Sequence, residues 1–394
     1  MGKIFFLFSF VLVVFSCTEK EMGPISESLG KPGKVEVLST ETIPGGVIIN
    51  YKIPKTNDIL EIKAVYTLTN GQIRESSSSY YTSYITLDGY NDVEKHEVTL
   101  YTINRAREIS DPVMVVFHPG ESSLNKTAKT MSIVPDFGGV NYSWLNEDRA
   151  NLIFEFYTEN DKGNMTIINI ISSKTDSTSQ IFRGYETVPR KFAINIRDNF
   201  GNSSGVIYPE TGEYITPLFE TKFDKNIQKI LYLDGDVSWD AWGARGVSMI
   251  DDDLTTFSHT DNNTSPGASF TLDIGKTGKL SRLLVFQRSD GNFLYNTGNV
   301  NVFEVYTTND LSDDPDGNWN KWTKQMTCTV VKPSGAPLGT ITEDDRIAAR
   351  EGHDFSFPIT MEPVRYVRIK VLSTWGNTNY TYFSEITVFG KNEQ

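Results

Sequence analysis

From Gly33 onward the chain is built of short β-branched and aromatic runs, each closed by Gly, Pro, Asn or Asp, with no sustained helical periodicity. Lys34 to Leu38, Val47 to Tyr51, Ile59 to Thr67, Glu97 to Ile103 and Val113 to Phe117 are of this kind. Strands so short bury their apolar faces by stacking one sheet on another, so the fold class is all-β. At 394 residues the chain exceeds what one hydrophobic core organises, and two or three such units are expected.

Composition removes several function classes. Thirty-seven Lys plus Arg stand against 50 Asp plus Glu, a formal charge of −13, so the net field attracts neither nucleic acid nor an anionic lipid surface. The 18 Tyr and 23 Phe exclude a disordered acidic chain. With 2 Cys and 4 His there is no material for multi-cysteine zinc sites, iron–sulfur clusters or a disulfide scaffold.

Residues 33–120 carry enough strands for one sandwich of the immunoglobulin or fibronectin type III kind, with Pro119-Gly120 as its boundary. Residues 121–222 repeat it. Pro44-Gly45-Gly46-Val47 leading into Asn50-Tyr51 is matched by Phe137-Gly138-Gly139-Val140 leading into Asn141-Tyr142. Glu97 to Arg105 is likewise matched by Lys191 to Arg197, at an offset of about 93 residues, one sandwich per repeat. These two units read as spacers.

At the N-terminus Lys3 precedes an apolar run, Ile4 to Phe15, broken only by Ser9 and ending at Ser16-Cys17. The run is too short to span a bilayer, which takes about 20 apolar residues, but suits the core of a secretory signal. Its ending resembles the bacterial lipoprotein signal in the looser form seen in Bacteroidetes, with acidic residues after the cysteine as in that phylum's surface-export signal. The resemblance implies a signal peptide at 1–16, acylation of Cys17 as an outer-membrane anchor facing the exterior, and a flexible tether over 17–32. The alternative is an ordinary secretory signal with an incidental cysteine. If Cys17 is acylated, Cys328 is the one thiol left and packs as a small apolar residue.

Residues 223–394 differ from the repeats. Asp251-Asp252-Asp253-Leu254-Thr255-Thr256-Phe257-Ser258-His259-Thr260 is similar to a signature segment of the discoidin, or coagulation factor type C, fold. Ser269 to Gly275, Leu283 to Arg288, Phe303 to Asn309 with Trp319 and Trp322 after it, Val364 to Lys370 and Ser384 to Gly390 resemble its later strands, in order. The resemblance implies a jelly-roll sandwich related to galactose-binding carbohydrate-binding modules. The whole arrangement looks like a Bacteroidetes lipoprotein of starch-utilisation-type glycan uptake systems, which implies surface capture of a glycan beside a transporter complex.

The resemblance also implies a structural Ca²⁺ ion. Asp251 and Asp253 lie two apart in a tight turn with the Thr256 hydroxyl following, and hard oxygens of this kind suit Ca²⁺. In the family the turn is completed by positions matching the carbonyls of Ser248 and Ser384 and the carboxylate of Glu385. Asp252 stands where the family has Gly. A solvated acidic turn without metal is the alternative.

A sugar site combines an aromatic platform with fixed polar groups, placed on loops. The candidates are Trp239 and Trp242 in the 234–246 loop, His259 and Arg288 at strand ends, and Trp375 and Tyr380 in the 374–382 loop. Each has a structural alternative: one of Trp239 and Trp242 capping the core, His259 bonding within its strand end, Arg288 pairing with Asp290.

Enzyme readings are weak. Gly201-Asn202-Ser203-Ser204-Gly205 fits G-x-S-x-G, but lies in a turn between β-like segments and not at a strand-to-helix elbow. The reading is a non-catalytic, glycan-binding surface lipoprotein. The alternative is a structural or adhesive lipoprotein whose last domain binds a protein partner.

Overall fold

In a computed structural model the chain is described over residues 26–56, 58–311 and 319–393. The expected signal peptide, Cys17 and the start of the tether lie outside the described residues. Among the described residues no helix is long and apolar enough to cross a membrane.

The first unit holds β1 (Glu36–Ile43), β2 (Gly46–Lys52), β3 (Ile59–Thr67), β4 (Ile73–Ser79), β5 (Tyr84–Asp88), β6 (His96–Asn104) and β7 (Val113–Phe117). They form a three-stranded sheet, β1-β2-β5, facing a four-stranded sheet, β4-β3-β6-β7. Alternation fixes the faces: along β3, Ile62, Ala64 and Tyr66 are buried while the residues between them are not. Their partners across the sandwich are Val47, Ile49 and Tyr51 of β2.

A short helix, α1 (Ser123–Lys129), follows, started by the Ser122 hydroxyl accepting from the Asn125 N–H. The second unit holds β8 (Ser132–Asp136), β9 (Gly139–Leu145), β10 (Leu152–Glu159), β11 (Met165–Ser173), β12 (Ser177–Arg183), β13 (Arg190–Arg197), β14 (Ser203–Ile207) and β15 (Tyr214–Ile215). Sheets β12-β9-β8 and β11-β10-β13-β14 repeat the first unit's arrangement, around a core in which Trp144 stacks on Phe154 at 4.2 Å.

The paired glycines explain why the repeat is written as it is. Gly45 and Gly138 both sit at positive φ, 61° and 64°. A Cβ on Gly46 would lie 2.1 Å from the Leu87 carbonyl oxygen, and one on Gly139 1.8 Å from that of Phe182. Both hairpins therefore need the same residue pair for the same two reasons.

The third unit holds β16 (Thr221–Lys222), β17 (Lys229–Leu231), β18 (Ser269–Phe286), β19 (Val300–Thr308), β20 (Thr323–Thr329), α2 (Glu343–Glu351), β21 (His353–Ser356), β22 (Val364–Thr374) and β23 (Glu385–Asn392). The two runs read as separate strands at 269–275 and 283–288 are one bent strand, β18. Its first half pairs with β22 and its second with β23 and β21. Both layers of the sandwich are thus tied through one segment. Cys328 is buried in this core, and burial pushes its thiol up to about 12, so it packs as an apolar residue.

The units touch through polar contacts and, between the first two, through the Phe200 ring packed on the first unit's core. Asn202 donates to the Gly89 carbonyl at 2.9 Å and Asn70 to the Phe200 carbonyl at 3.0 Å, joining the first two. The G-x-S-x-G turn therefore supplies a junction contact and forms no nucleophile elbow. Arg183 of the second unit reaches Asp354 and Ser356 of the third, at 3.1 and 2.7 Å.

Candidate functional site

One end of the third unit gathers loops from four places in the sequence. Residues 257–260 run between two neighbours: the Ser258 and Thr260 N–H groups donate to the carbonyls of Phe383 and Thr381. On the other side the His259 N–H donates to the Trp239 carbonyl and the Ala241 N–H to the His259 carbonyl. This extended geometry sends Ser258 and Thr260 inward, where both are fully buried, and turns Phe257 and His259 the other way.

Arg288, just past β18, completes the cluster. Its guanidinium lies 3.7 Å from the ring centre of Phe257, 4.2 Å from Phe293 and 5.4 Å from Tyr382. Asp290 holds it by two hydrogen bonds, 2.6 Å to Nε and 2.9 Å to Nη2. The anticipated Arg288–Asp290 pair therefore forms and orients the arginine, with Asp290's carboxyl held below the usual range by that contact.

His259 stacks on Tyr380, centroids 5.0 Å apart and planes 23° from parallel. Its Nδ1 is 2.6 Å from the Thr260 carbonyl oxygen, which only accepts, so Nδ1 carries the proton. Burial lowers its pKa, with the charge of Arg288 adding to the effect against the Thr260 bond, so the ring is neutral at pH 7. Nε2 is then a lone-pair acceptor. Buried Tyr382, whose hydroxyl meets that of Thr297, floors the cluster.

The other expected residues divide. Trp242 is 71% exposed at the tip of the adjoining loop, which the Gly246 N–H bond to Asp240 closes at 2.8 Å. Trp239 is a correction: it is fully buried, donates its indole N–H to the Ser269 carbonyl at 3.2 Å and packs on Phe270 and Phe383. Of the two tryptophans, Trp239 is the one in the core because its indole packs on Phe270 of β18 and on Phe383, while Trp242 stands on a left-handed turn, φ 59°. Trp375 is half-buried, edge-on to Tyr295 at 5.4 Å, with its indole nitrogen inside the protein. It supports the loop and offers no open face comparable to Trp242. Phe257 and Phe293 are the residues that sequence reasoning missed. The alternation Phe257-Ser258-His259-Thr260 contained the signal for the first, because whatever faces away from two buried hydroxyls shares a side with His259.

The expected metal donors do not form a shell that fits a divalent cation. Asp251 accepts from the Thr256 hydroxyl at 2.9 Å and from the Asp253 N–H at 2.9 Å, while Asp253 accepts from Thr255. Of the two serines expected to give carbonyls, Ser248 is buried in the preceding turn and Ser384 is buried with its hydroxyl donating to the Leu254 and Thr256 carbonyls at 3.0 Å each; Glu385 faces a lysine ammonium. Among the described residues no three His, Cys, Asp or Glu side chains group as a metal site.

Three families match the chain in succession, each described as a domain of unknown function: DUF4959 over residues 32–119, DUF5126 over 120–226 and DUF5000 over 248–390. No curated protein matches. Among solved structures, the SusE-like protein BT2857 is 30% identical, with 68% of this chain and 98% of that one covered and a TM-score of 0.44. A CBM32 module of a family 31 glycoside hydrolase from Clostridium perfringens is 19% identical, covering 43% of this chain and 95% of its own, TM-score 0.31. The family 32 module of C. perfringens NanJ, solved in complex with galactose, is 17% identical over 43% and 98%, TM-score 0.30.

Proposed function

The chain belongs to the family of SusE-like proteins, and from that premise we propose that it is a non-catalytic, glycan-binding lipoprotein of the bacterial surface. In this reading Cys17 carries the lipid that anchors it in the outer membrane. The two fibronectin-like units lift the third away from the lipid, and the third captures oligo- or polysaccharide for a starch-utilisation-type uptake complex.

The observation that carries the reading is the pairing of Arg288 with His259 between aromatic walls. Arg288 offers N–H donors, neutral His259 offers an acceptor at Nε2, and the two share the Tyr382 ring, at 5.4 and 5.3 Å from its centre. Adjacent hydroxyls of a sugar ring each donate and accept, so one donor beside one acceptor matches them. The faces of Tyr380 and Phe293, with Trp242 on the adjoining loop, suit the ring's apolar side. Asp290 neutralises the arginine, so the cluster suits an uncharged sugar.

Affinity electrophoresis of the purified protein through gels holding plant, host and microbial polysaccharides tests this. Retardation by at least one glycan is expected, abolished in Arg288→Ala and weakened in Trp242→Ala and Tyr380→Ala. Equal migration in every gel across a broad panel would sink the proposal.

A further inference from the structure

The loop joining β16 to β17 opens with a tight turn at Lys225–Ile227, fixed by the Asp224 carboxylate accepting from the Asn226 N–H at 3.0 Å. This turn drives the Lys225 side chain inward until only 7% of it is exposed. Its ammonium ends 2.5 Å from Glu385 Oε1 and 2.8 Å from Asp252 Oδ1. Lys222, at the end of β16, meets the same Asp252 oxygen at 2.5 Å.

Glu385 is spent in this contact. Its side chain is 2% exposed; Oε1 also accepts from the Ile386 N–H at 2.9 Å, and Oε2 accepts from the Asp252 N–H at 2.7 Å. Asp252 is at φ 63°, the left-handed position where the discoidin resemblance has Gly. A carboxylate at that position is explained by what it touches: it faces the two lysines and closes the charge balance. Two ammonium groups meet two carboxylates, the same count that a dication would give.

We propose that Lys225, supported by Lys222, takes the place of the calcium ion expected at this turn, so that the third unit is held by a resident ammonium and is independent of calcium. The geometry carries this beyond a missing ligand shell. A divalent ion reaching Glu385 would have to displace a buried ammonium from both of its carboxylates, or sit against it at contact distance, where like charges in a poorly hydrated site repel strongly. Other expected side-chain donors are also engaged, since the Thr256 hydroxyl donates to Asp251 and Asp253 accepts from Thr255. The staple therefore joins the β16–β17 loop, the acidic turn and the start of β23 through one side chain.

Thermal unfolding of the purified protein with millimolar CaCl₂ or with EDTA is the direct test, and the unaltered protein serves without any variant. The melting temperature is expected to be the same in both, within about 1 °C. A rise of several degrees with calcium, reversed by EDTA, would overturn the proposal. Lys225→Met removes the ammonium and leaves two carboxylates facing each other; a fall of several degrees in the third unit's transition is expected. Lys225→Met melting like the parent protein would also overturn it. Calcium titration by calorimetry covers the case in which the variant does not fold: saturable heat at micromolar to millimolar calcium counts against the proposal, and its absence supports it.

Discussion

At the scale of single residues, the candidate site is governed by which side chains are free to leave their place. Trp242 has 71% of its surface in water, so Trp242→Ala is expected to leave the melting temperature within about 1 °C while lowering glycan affinity. Arg288 is different, because Phe257 and Phe293 pack on its guanidinium. Arg288→Ala is expected to cost about 1–2 kcal/mol of stability by lost stacking as well as abolishing binding. Calorimetry and urea unfolding of the two variants separate these outcomes; a large stability loss in Trp242→Ala would contradict its placement. His259 supplies a pH signature. Its pKa lies below the ordinary histidine value of about 6.5, so Nε2 stays an acceptor at pH 7 and is lost to protonation as pH falls below that value. Affinity is expected to hold from pH 8 to 6.5 and then decline, and His259→Gln is expected to remove the decline.

At the scale of elements, strand positions were legible because alternation and turn residues are local signals. Ile59–Thr67 and Val113–Phe117 coincide with β3 and β7 residue for residue. The single strand β18 was read as two because Gly275, Lys276, Thr277 and Gly278 resemble a turn; Gly275 is at φ 80°, the β22 register breaks between Asp273 and Gly278, and the β23 pairing that resumes at Gly278 is far away in sequence. Helix α2 was missed because its nine residues are too few to show a period. Trp239 and Trp242 could not be told apart for a similar reason: both sit in one loop, and the contact with Phe270 and Phe383 that buries the first is long-range. At the turn 251–256 the acidic residues were legible as a sequence pattern, while Lys225, which meets Asp252, also reaches Glu385, 160 residues away, a contact that no local pattern shows. Two element-level predictions follow from packing. Ala at Gly46 or at Gly139 places a methyl group against a neighbouring strand's carbonyl, at 2.1 and 1.8 Å, and is expected to cost at least about 1–3 kcal/mol in its own unit. Denaturant unfolding of each variant would show it, and stability equal to the parent would refute the shared role of the two glycine pairs. His353, at the start of β21 beside Tyr295, has its pKa pushed down to about 4 by burial. The unfolded chain then binds a proton at about pH 6.5 that the folded one refuses, so stability is full above that pH and falls between 6.5 and 4, by at most about 3 kcal/mol. His353→Gln is expected to flatten that part of the stability profile.

At the scale of the whole molecule, the question is whether the two fibronectin-like units hold the third at a fixed place or let it swing. The first junction has the chemistry of a fixed joint. Asn202 is 5% exposed, and its amide donates both to the Gly89 carbonyl and, at 2.8 Å, to Asp198 of its own turn. Phe200 beside it lies under the Arg74 guanidinium at 5.1 Å and so close to Gly89 that a Cβ there would be 2.8 Å from its ring. A buried amide bonded across a junction resists opening, because opening exposes Phe200 and breaks bonds on both sides. The first and second units are therefore expected to unfold together in a single calorimetric transition. Asn202→Ala with Phe200→Ala removes the buried amide bond to Gly89 and the ring that packs on the first unit's core, leaving the Ser122 and Asn125 bonds to Asn91, and two effects are expected together: the joint transition splits in two, and the radius of gyration from solution scattering increases. If the double variant scatters and melts like the parent, the junction does not couple the units. If it behaves as expected while keeping full glycan affinity in solution, the spacers set where the binding end is presented, and the third unit alone sets what is bound.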